Sequence, residues 1–354
     1  MSDVEQAAAP ARVLPSRRRL VMSVLISLII GAVFVWLLKA GALPVVPSGT
    51  ALGAVPLWVP VAYAFVWLVV LFLRGVRWYW LLRPVTDVSV RQVLYASFVG
   101  YAALVILPLR MGEFMRPAMI SRHSNTRFFT ATSSSGAERV LDGLILCVFM
   151  FTALQLAPRV EPLPDTIGQL PVPANLVPRA AYLALAGFSA ALIAMAVFYW
   201  WRSFAVRVIQ LVFGRIAPRL ASWLTVRFEQ LTDGLSFLKT WSATGPFVSI
   251  SLVYWLLNAA GLWLVLRGCG LAGIGFWEAA VVMGVLGLGL LTPNAPGYFG
   301  AFQLSVYAGL ALFLPPGEIL GRGVVAVFYI YVLQIGVILL SSGAAALLGP
   351  GPRK

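Results

Sequence analysis

The stretch "ILPLRMGEFMRP", residues 106–117, lies within an otherwise strongly apolar chain. Within seven positions it holds three charges, on Arg110, Glu113 and Arg116, and it also contains a proline and a glycine four residues apart. Proline and glycine are poor residues for a helix interior, so a helix is expected to break here. Charges and a helix break thus coincide in the middle of an apolar chain, and this coincidence requires a physical reason.

The composition around this stretch is that of an integral membrane protein. The chain has 354 residues, of which 60% are hydrophobic and 11% are charged. Its apolar runs approach the ~20 residues that cross a ~30 Å hydrocarbon core. They are continuous, whereas the strands of a β-barrel alternate polar and apolar residues. The sequence therefore predicts an all-α, polytopic membrane protein.

The charged residues and the cysteines exclude other classes. The net charge of +14 is spread beside the apolar segments, which is typical of topology signals and contacts with anionic lipids and not of nucleic-acid binding. Cys147 and Cys269, the two cysteines, both stand in apolar stretches, so neither a disulfide framework nor a zinc site is indicated. We expect no metal and no other cofactor.

A count of charges on each side of the membrane tests the number of crossings. The apolar segments are approximately 20–39, 56–73, 92–109, 138–157, 180–201, 246–266, 276–292, 297–314 and 323–348. If all nine crossed, with the N-terminus inside, Arg110, Arg116, Arg122 and Arg127 would lie outside, against the positive-inside rule. A re-entrant hairpin removes the conflict. It enters from the cytoplasm along 92–109, breaks at Pro108 and Gly112, and returns to the same side.

The segments 276–292 and 297–314 are predicted to form a second hairpin, which enters from outside. The spacing of its Pro293 and Gly297 repeats the spacing in the first hairpin. The residues predicted to act as its hinge or gate are Pro293, Asn294, Pro296, Gly297 and Gly300. The alternative is ordinary helix packing mediated by glycine.

The predicted chain then contains the same unit twice, in opposite orientation. Each unit consists of two crossings, a hairpin and a further crossing. The sequence thus predicts about six full transmembrane helices and two re-entrant hairpins in an inverted repeat, a pattern that indicates a transporter.

The predicted parts are a disordered tail at 1–19, a single domain at 20–348 with halves at 20–157 and 180–348, an amphipathic interfacial region at 203–240, and a tail at 349–354. Both termini are expected in the cytoplasm, at the cell's inner (plasma) membrane. The alternative for 203–240 is a topology determinant without a role in transport.

The charges of the first hairpin are candidates for substrate binding. The i, i+3 spacing brings Glu113 within reach of Arg110 or Arg116. A broken helix presents free N–H groups to an anion, and the planar fork of arginine suits phosphate. Two arginines and one glutamate would leave a positive pocket for a phosphate headgroup. The alternative is an ion-paired plug that neutralises itself.

A second group of candidates lies in "SSSGAERVLDGL", residues 133–144. Asp142 follows Glu138 by four residues, on the same face of a helix, and Arg139 lies between them. The three could close the polar pocket or pass a proton. The alternative for Glu138 is a capping box with Ser135 at a helix start.

These motifs together resemble the lysylphosphatidylglycerol synthase transmembrane-region family over about residues 20–345. The residues that carry the resemblance are Pro108, Arg110, Gly112, Glu113, Arg116, Glu138, Arg139, Asp142, Pro293, Pro296, Gly297 and Gly300. The resemblance implies a flippase-like protein that moves a lipid, or a lipid-linked headgroup, between leaflets. The sequence ends at Lys354 without an aminoacyl-transferase domain, so a stand-alone member is expected and lysyl-lipid synthesis is not carried over.

The expected function is therefore lipid transport, with a phosphate-bearing membrane lipid as the partner. One alternative is a membrane enzyme that acts on lipid phosphates or sugars. The single histidine argues against it, and so does the near absence of paired carboxylates or metal-ligand clusters outside residues 110–142. The other alternative is an accessory subunit of lipid or cell-envelope glycan modification.

Overall fold

The computed structural model describes residues 17–40, 43–158, 166–167, 169–171, 176–291 and 295–350. The α-helices are α1 (Arg17–Ala40), α2 (Gly49–Gly53), α3 (Trp58–Leu82), α4 (Val90–Ile106), α5 (Met115–His123), α6 (Phe128–Leu156), α7 (Leu176–Trp200), α8 (Arg202–Phe213), α9 (Pro218–Asp233), α10 (Trp241–Gly268), α11 (Phe276–Gly289), α12 (Ala301–Leu310), α13 (Pro316–Glu318) and α14 (Val324–Leu348). Shorter 3₁₀ segments are Pro108–Phe114, Ser236–Lys239 and Pro296–Tyr298, and Ile319–Gly323 is a π-turn. Two antiparallel strands, β1 (Thr166–Ile167) and β2 (Leu170–Pro171), have two residues each.

Within the described residues, five helices are long and apolar enough to cross a membrane. They are α3, α6, α7 from Val177, α10, and the continuous helical stretch Pro316–Leu348. The 24-residue α1 coincides with the first predicted crossing. The predicted all-α, polytopic membrane fold is confirmed.

Helices α3 and α10 form an antiparallel pair. A Cβ atom on Gly268 would meet Val59, near the start of α3, and Arg77, near the end of α3, contacts Ser251 in the first half of α10. Glycine at such positions lets two helix backbones approach closely. One end of the bundle therefore holds the start of α3 and the end of α10, and the other holds the end of α3 and the start of α10.

The first predicted hairpin consists of α4, the 3₁₀ segment Pro108–Phe114 and α5. A capping box starts α4, because Ser89 and Gln92 exchange side-chain and backbone hydrogen bonds. The amide of Gln92 also donates to the carbonyl of His123 at 3.1 Å, so the chain returns to the end from which α4 began. The predicted break at Pro108 and Gly112 is confirmed.

The second hairpin consists of α11, the 3₁₀ segment Pro296–Tyr298 and α12. A Cβ atom on Gly309 would meet Val282, and one on Gly289 would meet Ser305, so α11 and α12 lie directly against each other. Of the predicted hinge residues, Pro293 and Asn294 lie outside the described residues.

The two hairpins start from opposite ends of the bundle. A hydrogen bond of 2.6 Å between the hydroxyls of Thr126 and Thr86 ties the base of the first hairpin to the end of α3. The second hairpin follows directly on the end of α10, which is the opposite end because α3 and α10 are antiparallel. The tips meet where the guanidinium of Arg110 donates to the carbonyl of Leu290.

In each half, the last helix packs against the hairpin of the other half, as expected of a repeat. Helix α14, the last of the second half, packs against α4 of the first hairpin, and α6, the last of the first half, packs against α11 of the second. The order of crossing, crossing, hairpin and crossing is the same in both halves. An inverted repeat requires the same order of elements in both halves, reciprocal packing between the halves, and hairpins that start from opposite ends. The described residues have these three features.

The register between the two hairpins differs from the one predicted. The segments 108–114, PLRMGEF, and 296–302, PGYFGAF, share the pattern Pro-x-x-x-Gly-x-Phe. Each proline starts a 3₁₀ segment. The third residues, Arg110 and Tyr298, have φ of 59° and 57° and are the only non-glycine residues with positive φ among those described. The structural counterpart of Pro108 is therefore Pro296, and the predicted pairing with Pro293 is wrong.

The predicted amphipathic region forms α8 and α9, and α9 begins at Pro218. Helix α9 is attached to α6, because the hydroxyl of Ser133 donates to the carbonyl of Leu231 at 2.6 Å. Helix α8 leaves Phe204 and Leu211 exposed. Such a face suits the membrane interface.

Candidate functional site

A cavity of about 180 Å³ lies where the two hairpin tips meet. The first hairpin contributes Arg110, and the second contributes Leu290 and Tyr298. The remaining lining comes from α3, α4, α6, α7, α10, α11, α12 and α14. Its further charged members are Arg74, Arg139 and Asp142. The cavity thus sits between the halves and not within either one.

A chain of buried ion pairs lies beside the cavity. Arg116, which is 0% exposed, donates from Nη1 to Glu138 Oε2 at 2.9 Å. The other oxygen of Glu138 accepts from Arg77 Nη2 at 3.1 Å. Arg77 also donates to both carboxylate oxygens of Asp142. Two arginines and two carboxylates therefore form a continuous and neutral chain.

Aromatic rings enclose the arginines of this chain. The guanidinium carbon of Arg116 lies 4.3 Å from the ring centroid of Trp78, and that of Arg77 lies 4.4 Å from the ring of Tyr254. Cation–π contacts of this kind partly replace the lost hydration. Because the pairs are buried, removal of one partner would leave an uncompensated buried charge. The chain is therefore expected to fix α3, α5 and α6 relative to one another.

The capping alternative for Glu138 is wrong. Helix α6 begins at Phe128, ten residues before Glu138, so neither Glu138 nor Ser135 stands at a helix start. Both partners of Glu138 are arginines from other helices. Glu138 and Asp142 do share one helix face, as predicted, and both contact Arg77.

The hairpin charges divide into two groups. Arg110 pairs with Glu113, at 2.9 Å from Nε to Oε1, and the two side chains keep 21% and 33% of their exposure. Arg116 pairs with Glu138 instead and takes no part in lining the cavity. The prediction that Arg110 and Arg116 together hold one anion thus lacks geometric support. Arg74 and Arg139 take the position expected of Arg116.

Arg74 and Arg139 have no ion pair within 4.0 Å in the part of the chain that the structure describes. The guanidinium of Arg74 lies 5.0 Å from the ring centroid of Tyr101, and its buried Nε finds no acceptor there. Among these residues, the cavity and the ion chain together contain five arginines and three carboxylates. The arginines are Arg74, Arg77, Arg110, Arg116 and Arg139, and the carboxylates are Glu113, Glu138 and Asp142. Two positive charges are left over.

A sequence profile of the family described as the lysylphosphatidylglycerol synthase TM region matches residues 24–338 of the chain. The match takes in both hairpins, the cavity and the ion chain. The chain belongs to this family. No curated protein sequence and no solved structure matches it significantly. The resemblance drawn from the hairpin motifs is confirmed, and it ties this membrane protein to lipid handling.

In this lysylphosphatidylglycerol synthase transmembrane-region protein, glycines permit the hairpin turns. A Cβ atom on Gly112 would lie 2.3 Å from the backbone of α4. Gly297 and Gly300 have φ of 71° and 87°, and a Cβ atom on Gly300 would lie 2.2 Å from Phe34 of α1. The predicted hinge residues thus stand at turns that other residues cannot easily adopt.

Arg74 and Arg77 are the site residues of this family member that sequence reasoning missed. Both stand in "RGVRWYW" near the end of α3, directly after an apolar segment, where basic residues commonly act as topology signals. Their i, i+3 spacing on one helix face was the available signal. Among the described residues, no three His, Cys, Asp or Glu side chains are grouped so that they could hold a metal ion.

Proposed function

We propose that the protein moves a phospholipid, or a lipid-linked anionic headgroup, between the two leaflets without changing it chemically. The observation that carries the proposal is the arginine-lined cavity between the tips of two opposed hairpins. Interrupted helices in corresponding positions of two halves are typical of transporter substrate sites. Non-helical backbone at membrane depth is tolerated where protein buries it or where it lines a cavity.

The headgroup binds to the arginines that face the cavity. Arg110, Arg74 and Arg139 come from the first hairpin, α3 and α6, so an anion between them joins three elements. Arginine holds phosphate with two parallel hydrogen bonds. Arg116 and Glu138 do not bind the headgroup directly. Their ion pair supports the site because it holds α5 against α6.

The hairpins control access from the two sides. With both termini in the cytoplasm, the base of the first hairpin lies on the cytoplasmic side, near Arg83, Arg91 and Arg122, as the positive-inside rule favours. The second hairpin then enters from outside and is re-entrant like the first. Withdrawal of either tip from the contact between Arg110 and Leu290 opens the cavity toward one side.

A translocation assay tests this function. The purified protein is reconstituted in phospholipid vesicles that carry a trace of a fluorophore-labelled anionic lipid, and a membrane-impermeant reductant reports how much label reaches the outer leaflet. We expect wild-type protein to exchange the label, an R110Q variant to be slowed about tenfold or more, and R322Q to behave as wild type. Arg322 is a suitable control because it is exposed and does not line the cavity.

Two results would contradict the proposal. The first is labelled lipid that stays in its leaflet with well-folded wild-type protein. The second is a chemically altered lipid recovered from the vesicles, which would favour an enzyme instead.

A further inference from the structure

The charge balance of the cavity specifies its ligand more closely. We propose that the cavity takes a headgroup with two negative charges, that is a phosphomonoester or a diphosphate, in preference to the singly charged phosphodiester of an ordinary phospholipid. The inference rests on the proposed function in that it takes the cavity as the headgroup site.

The ion pairs show which charges are available. Glu138 and Asp142 form ion pairs with Arg77 and Arg116, and Glu113 forms an ion pair with Arg110. Among the described residues this leaves the two cations Arg74 and Arg139 without a carboxylate within 4.0 Å. Uncompensated charge in a low-dielectric interior is unfavourable, so a ligand that supplies two negative charges is held best.

Unpartnered donors point to the same chemistry. Three residues that line the cavity each carry a buried donor without a hydrogen-bond partner among the described residues. The donors are Arg74 Nε, the hydroxyl of Tyr101 and Trp255 Nε1. Buried donors of this kind are normally satisfied. A phosphomonoester or diphosphate presents more acceptor oxygens to them than a phosphodiester, in which two of the oxygens are esterified.

The size of the cavity restricts what it holds. A cavity of about 180 Å³ has room for a phosphate or diphosphate group but not for a whole lipid. Apolar residues continue the wall beyond the arginines, among them Leu146, Phe188 and Ile338. The charged group therefore lies inside, and the first part of the lipid chain leaves along α6 and α7.

Binding to the purified full chain in detergent tests the inference. The probes are farnesyl diphosphate, dioctanoyl phosphatidate, dioctanoyl phosphatidylglycerol and inorganic pyrophosphate, and quenching of tryptophan fluorescence reports binding because Trp67 and Trp255 line the cavity. At neutral pH we expect the first two to bind at least about tenfold more tightly than the phosphodiester. Equal or tighter binding of phosphatidylglycerol would overturn the charge assignment. Pyrophosphate that bound as tightly as farnesyl diphosphate would overturn the assignment to a lipid.

Variants at the two free cations give a second readout. R74Q and R139Q should each lower the affinity for farnesyl diphosphate about tenfold and reduce its advantage over phosphatidylglycerol. Each should also raise the melting temperature of the ligand-free protein, because an uncompensated charge is removed. R74K, which keeps the charge, should retain the preference, and R322Q should change neither quantity. An unchanged preference in R74Q and R139Q would overturn the inference.

The transport assay separates this inference from the proposed function. Fast exchange of phosphatidylglycerol with no preference for dianionic lipids would overturn the inference and leave the transport function standing. A clear preference for dianionic lipids in binding, without any exchange of lipid between leaflets, would overturn the transport function and leave the inference standing.

Discussion

The guanidinium of Arg110 donates a hydrogen bond to the main-chain oxygen of Leu290, and this contact joins the tips of the two hairpins. Both residues line the cavity. A headgroup that binds Arg110 competes for the same guanidinium N–H groups, since arginine has only five of them and Glu113 already takes part. Binding of the headgroup is therefore expected to loosen the contact between the hairpins.

Loss of the side chain of Arg110 should open the tips. In a background whose two native cysteines, both buried, are replaced by alanine, a cysteine is placed at Leu291, beside the contact. We expect R110Q to raise the rate at which a membrane-impermeant maleimide labels this cysteine, because the bond to Leu290 is gone. Labelling as slow as in the parent protein would show that Arg110 does not hold the tips together, and R322Q serves as the matched control.

Removal of one member of the buried ion chain should destabilise the protein. Glu138 is 1% exposed and pairs with both Arg77 and Arg116, so E138Q leaves two arginines short of a partner. The expected loss is about 3–5 kcal/mol in the free energy of unfolding, the usual result of breaking a buried pair. Thermal unfolding in detergent measures it, with E229Q, at an exposed site on α9, as the control. Equal melting temperatures for E138Q and E229Q would contradict the structural role of the chain.

A methyl group at Gly112 should disrupt the first hairpin. The added Cβ atom would lie 2.3 Å from the backbone of Ala103 and Leu104, and no side-chain movement can relieve a clash with backbone. We expect G112A to lower the yield of folded protein and to abolish lipid exchange. In contrast, G136A in the middle of α6 has open space around its Cβ atom and should stabilise that helix by about 0.5–1 kcal/mol. Size-exclusion profiles and melting temperatures of the two variants compare them, and a normal G112A protein would contradict the packing of the turn.

The opposed hairpins predict the sides from which their bases can be labelled. Asn125 lies exposed at the base of the first hairpin, and Gly317 lies exposed beyond the second, with open space around its Cβ position. In the cysteine-free background, N125C should react with an impermeant maleimide only from the cytoplasmic side and G317C only from the outer side. Reaction of both from the same side would rule out hairpins that enter from opposite sides.

The sequence was sufficient to predict the helices, the two breaks and the family. Apolar runs mark α3, α6, α7, α10 and α14, and the misplaced arginines near 110 forced a hairpin in place of a crossing. These features are local or follow from a simple count of charges, so they need no knowledge of packing.

The partners of individual charges could not be predicted. Arg77 reaches Asp142 across 65 residues of sequence, and Arg110 reaches Leu290 across 180. Such pairs depend on how the helices pack, so Arg116 was assigned to the anion although Glu138 binds it. The repeat register failed for a related reason. Two proline–glycine pairs with the same spacing overlap at 293–300, and only the backbone turns at Arg110 and Tyr298 distinguish them.

Native mass spectrometry of the protein purified from its own membrane tests the central claim most directly. We predict that wild-type protein retains a phosphate-bearing lipid and that the double variant R74Q/R139Q, which removes both free cations from the cavity, loses it, while R322Q retains it. Retention of the same lipid by the double variant, or a lipid without phosphate in the wild type, would contradict the assignment of the cavity between the hairpins as an anionic headgroup site.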